Sequence, residues 1–283
     1  MSTPRSDTPS DTDTAARLAS YVDVWWAAVG DVLALVASLP ADDWGRPTDL
    51  PGWTTHDVLA HLVHLESVTV GGDHPQVEIG DAPHVRNDMG RFTEQGVVAL
   101  RDADPAALVA ELRSTTQGRY DALRADPPTD PSATAPTVFG LIGWDMETFL
   151  GNRPFDLWMH EQDLRRAVGR RGGLDGVPAA YCAQRLLRSV PFVVGKRVQP
   201  TPGTSVVLEV GALPPVGVLV GDDGRARAVP LEELGEPTAT LRTDLEEFCR
   251  ASGGRGEPDP ERWELGGDQD LARRVVAHLA VTP

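Results

Sequence analysis

The sequence predicts an α+β chain, a four-helix bundle followed by a small α+β domain. Three observations predict it. Over roughly the first 170 residues, apolar side chains recur at three- and four-residue steps in four long stretches, without a convincing strand period. Beyond residue 200 short runs of β-branched residues take over, at 205–210 and 216–220. Directly after the second run comes Gly221-Asp-Asp-Gly224, a strong hairpin turn. The expected organisation is a disordered tail over 1–14, the bundle over 15–172 and the α+β domain over 173–283. No internal repeat is present.

In chain order, residues 15–39 form the first expected helix, with Leu18, Val22, Trp25, Trp26, Val29, Leu33 and Val36 in register and Pro40 as its stop. A loop containing Pro47, Pro51 and Gly52 follows. Thr54 and Asp57 then have the spacing of a capping box. They open a second helix to about residue 70, with Val58, Leu62, Leu65 and Val68 as its core stripe. Residues 71–90 read as a long polar connection of the kind that often serves as a lid, and 91–101 as a short helix. A third main helix is expected over 104–124, with Pro105 at its first position. The fourth is expected within 140–168, and Pro154 inside that span implies a kink or a restart. Residues 177–198 read as one more helix, interrupted by Pro191. Strands are expected at 205–210, 216–220, 225–229, 239–242 and 262–265. Between the last two, Thr243 and Glu246 suggest a capped helix, and 268–280 a final one.

The formal charge of −16 argues against a general affinity for nucleic acid or an anionic membrane surface. No apolar run in the sequence approaches the ~20 residues of a membrane span, and the start has no charged-then-apolar signal pattern, so the expected location is the cytoplasm. Cys182 and Cys249, without a CxxC partner, fit thiols in a reducing compartment.

The chemistry points to histidines. On a helical wheel Asp156, His160 and Asp163 form a line beside the apolar cluster of Met146, Phe149, Leu150, Leu157, Leu164 and Val168. Two ligands at i, i+4 on one helix face can grip a metal ion. The same line also fits a solvated helix shoulder, and spacing alone favours that reading because short motifs arise by chance. On the second helix His61 falls near the apolar stripe, His64 well outside it and His56 nearly opposite. His61 with Asp156 and His160 would give three N/O ligands, the set of an open catalytic site rather than a closed structural one. The other reading of His61 is an interfacial histidine. His74, His84 and His278 read as surface residues.

The segments Leu-Pro-Ala-Asp-Asp-Trp at 39–44 and Leu-Pro-Gly-Trp-Thr-Thr-His-Asp-Val-Leu-Ala-His-Leu at 50–62 resemble the N-terminal domain of the mycothiol-dependent maleylpyruvate isomerase family, a DinB-like metalloenzyme bundle. Residues 155–169 are similar to that family's metal-binding helix. Thr-Asp-Leu-Glu-Glu-Phe-Cys at 243–249, Ser-Gly-Gly-Arg-Gly at 252–256 and Gly-Asp-Gln-Asp-Leu-Ala at 267–272 resemble its C-terminal domain. The resemblance implies a divalent metal, zinc first, held by His61, Asp156 and His160, with Asp156 where the family usually has the longer glutamate. Beside such a site Asp163 would orient His160 or a bound water, and its other reading is a helix-surface salt bridge with Arg166. The resemblance also implies mycothiol or a similar thiol as cosubstrate, bound with help from a C-terminal arginine; Arg255 is the first candidate, with Arg242 and Arg274 beside it. The expected function is a metal-dependent enzyme that uses a low-molecular-weight thiol for S-transfer to, or cis–trans isomerisation of, an electrophilic small molecule. Two alternatives stay open on the same scaffold: thiol-independent Lewis-acid or hydrolytic chemistry, and a non-catalytic small-molecule-binding protein.

Overall fold

The computed structural model describes residues 11–282. Of the tail expected over 1–14, the first ten positions lie outside the described residues, and 11–14 open the first helix. The chain divides into two compact units, Met1–Pro178 and Ala179–Pro283.

The first unit is helical. Its bundle consists of α1 (Asp11–Val36), α2 (Thr55–Thr69), α4 (Pro105–Ala125) and α6 (Met146–Ala167), with α3 (Asp88–Leu100) laid over α2 and a short α5 (Thr137–Leu141) before α6. The expected apolar stripes form the core: Leu18, Val22, Trp25, Val29 and Val36 of α1 meet Val58 and Leu62 of α2, Leu108 and Leu112 of α4, and Phe149, Leu157 and Leu164 of α6. Trp26 is only half-buried and stacks on Tyr120 with 4.3 Å between ring centres. Residues 13–36 are, by length and composition alone, apolar enough to cross a membrane, contrary to the expectation that no run approaches that length. Half of an 18-residue window within it is buried, which accounts for its apolarity as packing in the bundle core.

Local signals fix where the site-bearing helices start. The capping box of α2 forms as expected: the Thr54 hydroxyl accepts from the Asp57 amide, and the Asp57 carboxylate accepts from the Thr54 amide. The fourth main helix starts at 146 rather than near 140. Gly143 has φ +86°, which ends the preceding turn, and Asp145 then caps α6 by accepting from the Thr148 amide at 2.8 Å. The helix runs through Pro154 without a restart.

Two expectations about α2 and its surroundings are corrected. His64, placed well off the apolar stripe, is buried, and His74 and His84 are half-buried rather than on the surface. The reason is α3, which covers the flank of α2 that the stripe leaves out. Residues 71–87 are pinned across it. His74 stacks on Phe92 with 3.9 Å between ring centres and pairs with His64 and Gln95, each at 3.1 Å; His84 pairs with Glu94 at 2.9 Å. Close approach depends on Gly96 of α3, where an added Cβ would lie 2.0 Å from His64 Nδ1. Alanine favours helix by about 1 kcal/mol over glycine, yet overpacking costs about 1–3 kcal/mol. Gly96→Ala is therefore expected to lower stability by about 1–2 kcal/mol. A urea midpoint equal to or above wild type would show that α3 does not pack on His64 this way.

The second unit carries a five-stranded sheet of order β3-β2-β1-β4-β5: β1 (Ser205–Val210), β2 (Val216–Val220), β3 (Ala226–Val229), β4 (Ala239–Thr243) and β5 (Glu264–Gly267). β1 pairs parallel with β4, Val206 opposite Ala239, and the other pairings are antiparallel. The turn between β2 and β3 closes through the Gly221 amide on the Arg225 carbonyl, with Gly224 at φ +73°. The helix α7 (Val177–Leu187) precedes this sheet, followed by a short α8 (Val190–Phe192) and a π-turn at Val193–Val198. The helix expected to be capped by Thr243 and Glu246 is α9 (Leu245–Ser252), and its cap is Asp244, which accepts from the Glu247 amide at 3.0 Å. Thr243 is held in β4 and donates to the Arg262 carbonyl at 2.8 Å, so it is not available as a cap. The last helix, α10 (Gln269–Ala277), packs on β4 and β5.

Candidate metal centre

The start of α2, set by its capping box, directs His61 into the bundle, and α6 carries Asp156 and His160 one turn apart on the facing side. The three side chains each offer one donor atom, and these atoms lie within 4.8 Å of one another. Asp156 Oδ1 is 3.6 Å from His61 Nε2 and 3.6 Å from His160 Nε2. The shorter carboxylate therefore does reach the two imidazoles.

His160 is oriented from behind. Its Nδ1 pairs with Asp163 Oδ2 at 3.1 Å, which assigns the proton to Nδ1 and leaves the Nε2 lone pair toward Asp156 and His61. Asp163 is fully buried and accepts from Arg166, which also reaches Asp49 at 2.6 Å. Trp53 forms a wall, its ring centre 5.1 Å from that of His61 and 6.2 Å from that of His160. Its indole N–H donates to Glu94 at 2.8 Å, which fixes the ring plane.

The charge states suit ligation. Burial lowers the pKa of His61, and the neighbouring His160 lowers it further, so the ring is held neutral with a lone pair to give. Burial alone would raise the Asp156 carboxyl, but the Arg153 guanidinium beside it outweighs that and holds the group ionised, far below the usual carboxylate range. Both ring nitrogens of His61 are buried without a hydrogen-bond partner among the described residues. A histidine left so in a protein core carries a desolvation cost of about 1–3 kcal/mol, which coordination removes. Bonds of about 2.0–2.1 Å to a common ion separate ligand atoms by about 3.3 Å, close to the 3.6 Å found. Two imidazole nitrogens and a carboxylate oxygen thus fit a divalent ion in number, type and spacing.

Sequence reasoning missed the residues behind Asp156. Arg153, one turn back on α6, is buried and places Nη1 3.2 Å from Asp156 Oδ2. Its other nitrogens donate to Glu66 of α2, at 2.7 Å from Nη2 and 3.2 Å from Nε. Glu66 also accepts from Arg119 at 2.8 Å and from the Trp25 indole at 3.1 Å. A cavity of about 660 Å³ opens elsewhere in this unit, near Val70, Arg119, Met146 and Phe149, and none of the three donor residues lines it.

Arg255 belongs to the second unit. It is buried, and its Nη1 donates to the Gly253 carbonyl at 2.6 Å. Arg242 is paired with Glu209 at 2.8 Å, and Arg274 donates to the Val198 carbonyl.

Comparison with known proteins gives the family. Residues 25–165 match the model described as "Mycothiol maleylpyruvate isomerase N-terminal domain". Over 143 residues the chain is 31% identical to an uncharacterized protein of Mycobacterium tuberculosis, found in strains CDC 1551 / Oshkosh and ATCC 25618 / H37Rv. That match covers 49% of this chain and 52% of those proteins, so the chain spans about half the length of the curated relatives it matches. Among solved structures, a histidine-to-alanine variant of the mycothiol-dependent maleylpyruvate isomerase superposes with a TM-score of 0.52 at 16% identity, over 94% of this chain and 96% of that one. At that identity the likeness is one of fold. The helical match, running from Trp25 in α1 to Arg165 in α6, contains all three donor residues, and by it the chain belongs to the mycothiol-dependent maleylpyruvate isomerase family.

Proposed function

We propose that the chain is a metal-dependent enzyme that uses a low-molecular-weight thiol, mycothiol or one like it, to isomerise a cis double bond in an electrophilic small molecule or to transfer sulfur to it. The observation that carries this reading is the gathering of His61, Asp156 and His160 donor atoms within 4.8 Å, in a family named for a thiol-dependent isomerase. A divalent ion held there, zinc first, would supply a Lewis acid that lowers the pKa of a thiol at neutral pH.

The chain's residues have separable tasks in this reading. His61 and His160 present ring nitrogens, and Asp156 contributes a negative charge that offsets part of a cation's. Asp163 keeps the His160 proton on Nδ1. Trp53 covers one side of the cluster and limits water there. The reaction class is addition of a thiolate to the electrophilic carbon, with the electron pair moving onto the conjugated carbonyl, and then rotation and loss of the same thiolate, so that no net oxidation occurs. The chain's own thiols, Cys182 and Cys249, are buried in the second unit and have no part in it; they suit a reducing cytoplasm.

Elemental analysis of the purified protein tests the centre directly. Wild type is expected to carry about one divalent ion per chain and His160→Ala far less. Metal absent from the wild type, or equal in both, would remove the basis of the proposal.

A further inference from the structure

We propose that Arg153 is a positioning residue that, braced by Glu66, turns Asp156 so that Oδ1 alone faces the two histidines; the inference rests on the metal-centre reading above. All three guanidinium nitrogens are engaged. Nε and Nη2 donate to Glu66 Oε1 at 3.2 and 2.7 Å, and Nη1 stands 3.2 Å from Asp156 Oδ2 as an ion pair, an oxygen that accepts no hydrogen bond among the described residues. The two hydrogen bonds to Glu66 fix the plane of the guanidinium, and so the place of its charge beside Asp156 Oδ2. Glu66 is itself fixed by Arg119 and Trp25, so the brace extends from α6 into α1, α2 and α4. An aspartate pivots close to the backbone, so seizing one oxygen sets where the other points. Here the other points at His61 Nε2 and His160 Nε2, 3.6 Å from each. The arrangement assigns a one-oxygen mode to Asp156, with the second oxygen reserved for Arg153.

Charge and positioning predict opposite signs. A buried guanidinium beside a cation site repels the cation, and Coulomb's law alone makes Arg153→Met bind metal more tightly. If Arg153 positions Asp156, the same variant binds more weakly. Supporting contacts of this type are worth about 10–100-fold in metal affinity.

The test is titration of the full-length, metal-stripped protein with zinc, and with cobalt(II) for its absorption spectrum, beside thermal unfolding of the metal-free forms. Arg153→Met and Arg153→Lys are expected to lose about 10–100-fold in affinity and to shift the cobalt spectrum. Arg119→Lys, which touches Glu66 but not Asp156, is expected to lower the unfolding temperature while costing less than about a tenth of the affinity loss seen in the Arg153 variants. Unchanged or tighter binding in the Arg153 variants overturns the proposal while the metal centre stands. A wild type that takes up no metal overturns both. Should neither Arg153 variant fold, a crystal structure of the zinc-loaded wild type decides: one bonded oxygen of Asp156, with the other still on Arg153, supports the assignment, and two bonded oxygens overturn it.

Discussion

Glu66→Leu is expected to cost about 3–5 kcal/mol of folding stability, the cost of stripping a buried ion network of its counter-charge. Glu66 is fully buried, and so, within a few per cent, are Arg119 and Arg153 that it bridges. Burial alone would raise the Glu66 carboxyl, but the two guanidinium charges outweigh that and hold its pKa below its ordinary value. Removing the carboxylate leaves two positive charges in the core without their main partner. Among the described residues Arg119 then keeps its contacts over the faces of Trp25 and Phe149, at 4.5 and 5.0 Å, worth about 0.5–2 kcal/mol. Denaturant titration of the full chain measures the effect. A loss under about 1 kcal/mol would mean the network is well solvated. Because the folded-state pKa of Glu66 is depressed, its contribution is present above the unfolded glutamate pKa and is lost as pH falls through the folded value. Acid should therefore destabilise wild type more steeply than Glu66→Gln. Replacing all three charges, with Arg119→Met and Arg153→Met added to Glu66→Leu, should recover much of the stability, as apolar substitutes for buried ion groups often do.

That network marks where sequence reading ran out. On the helical wheel of α6, Arg153 falls at about the same angle as Phe149, Leu157 and Leu164, in the middle of the apolar stripe. A charge at that angle was a legible sign of a buried ion pair. Its partner was not legible, because Glu66 lies on another helix and only tertiary packing brings the two together. The same holds for His74 and His84, whose partners sit on α3. Local signals fared better. The capping box of α2, the hairpin turn at 221–224 and strands β1 and β2 each depend on a few consecutive residues and form where those residues put them. The donor atoms of His61, Asp156 and His160 do lie together; helix period allowed that set without favouring it, and the family resemblance singled it out. Helix period could not give the angle of the carboxylate, which Arg153 sets.

His61→Leu is expected to leave the metal-free protein as stable as wild type, or about 1 kcal/mol more so, while metal binding and thiol-dependent turnover fall more than about 100-fold. A residue kept for packing shows the opposite signs. His61 is buried, both of its nitrogens lack hydrogen-bond partners among the described residues, and burial depresses its pKa. Each of these is a cost to the metal-free fold, and leucine removes all three at similar volume. The loss is the ring contacts with Trp53 and His160, at 5.1 and 4.5 Å between ring centres, about 0.5–1.5 kcal/mol at most for each. Sites that hold unsatisfied groups for a ligand are stabilised when those groups are removed, at the expense of function. Urea unfolding of the metal-free proteins, run beside metal titration and a thiol-dependent assay, separates the two effects. Destabilisation beyond about 2 kcal/mol with metal binding intact would make His61 an interfacial core histidine and leave α6 with a two-residue site. Unchanged stability with lost binding would identify His61 as a ligand that the fold tolerates for its chemistry.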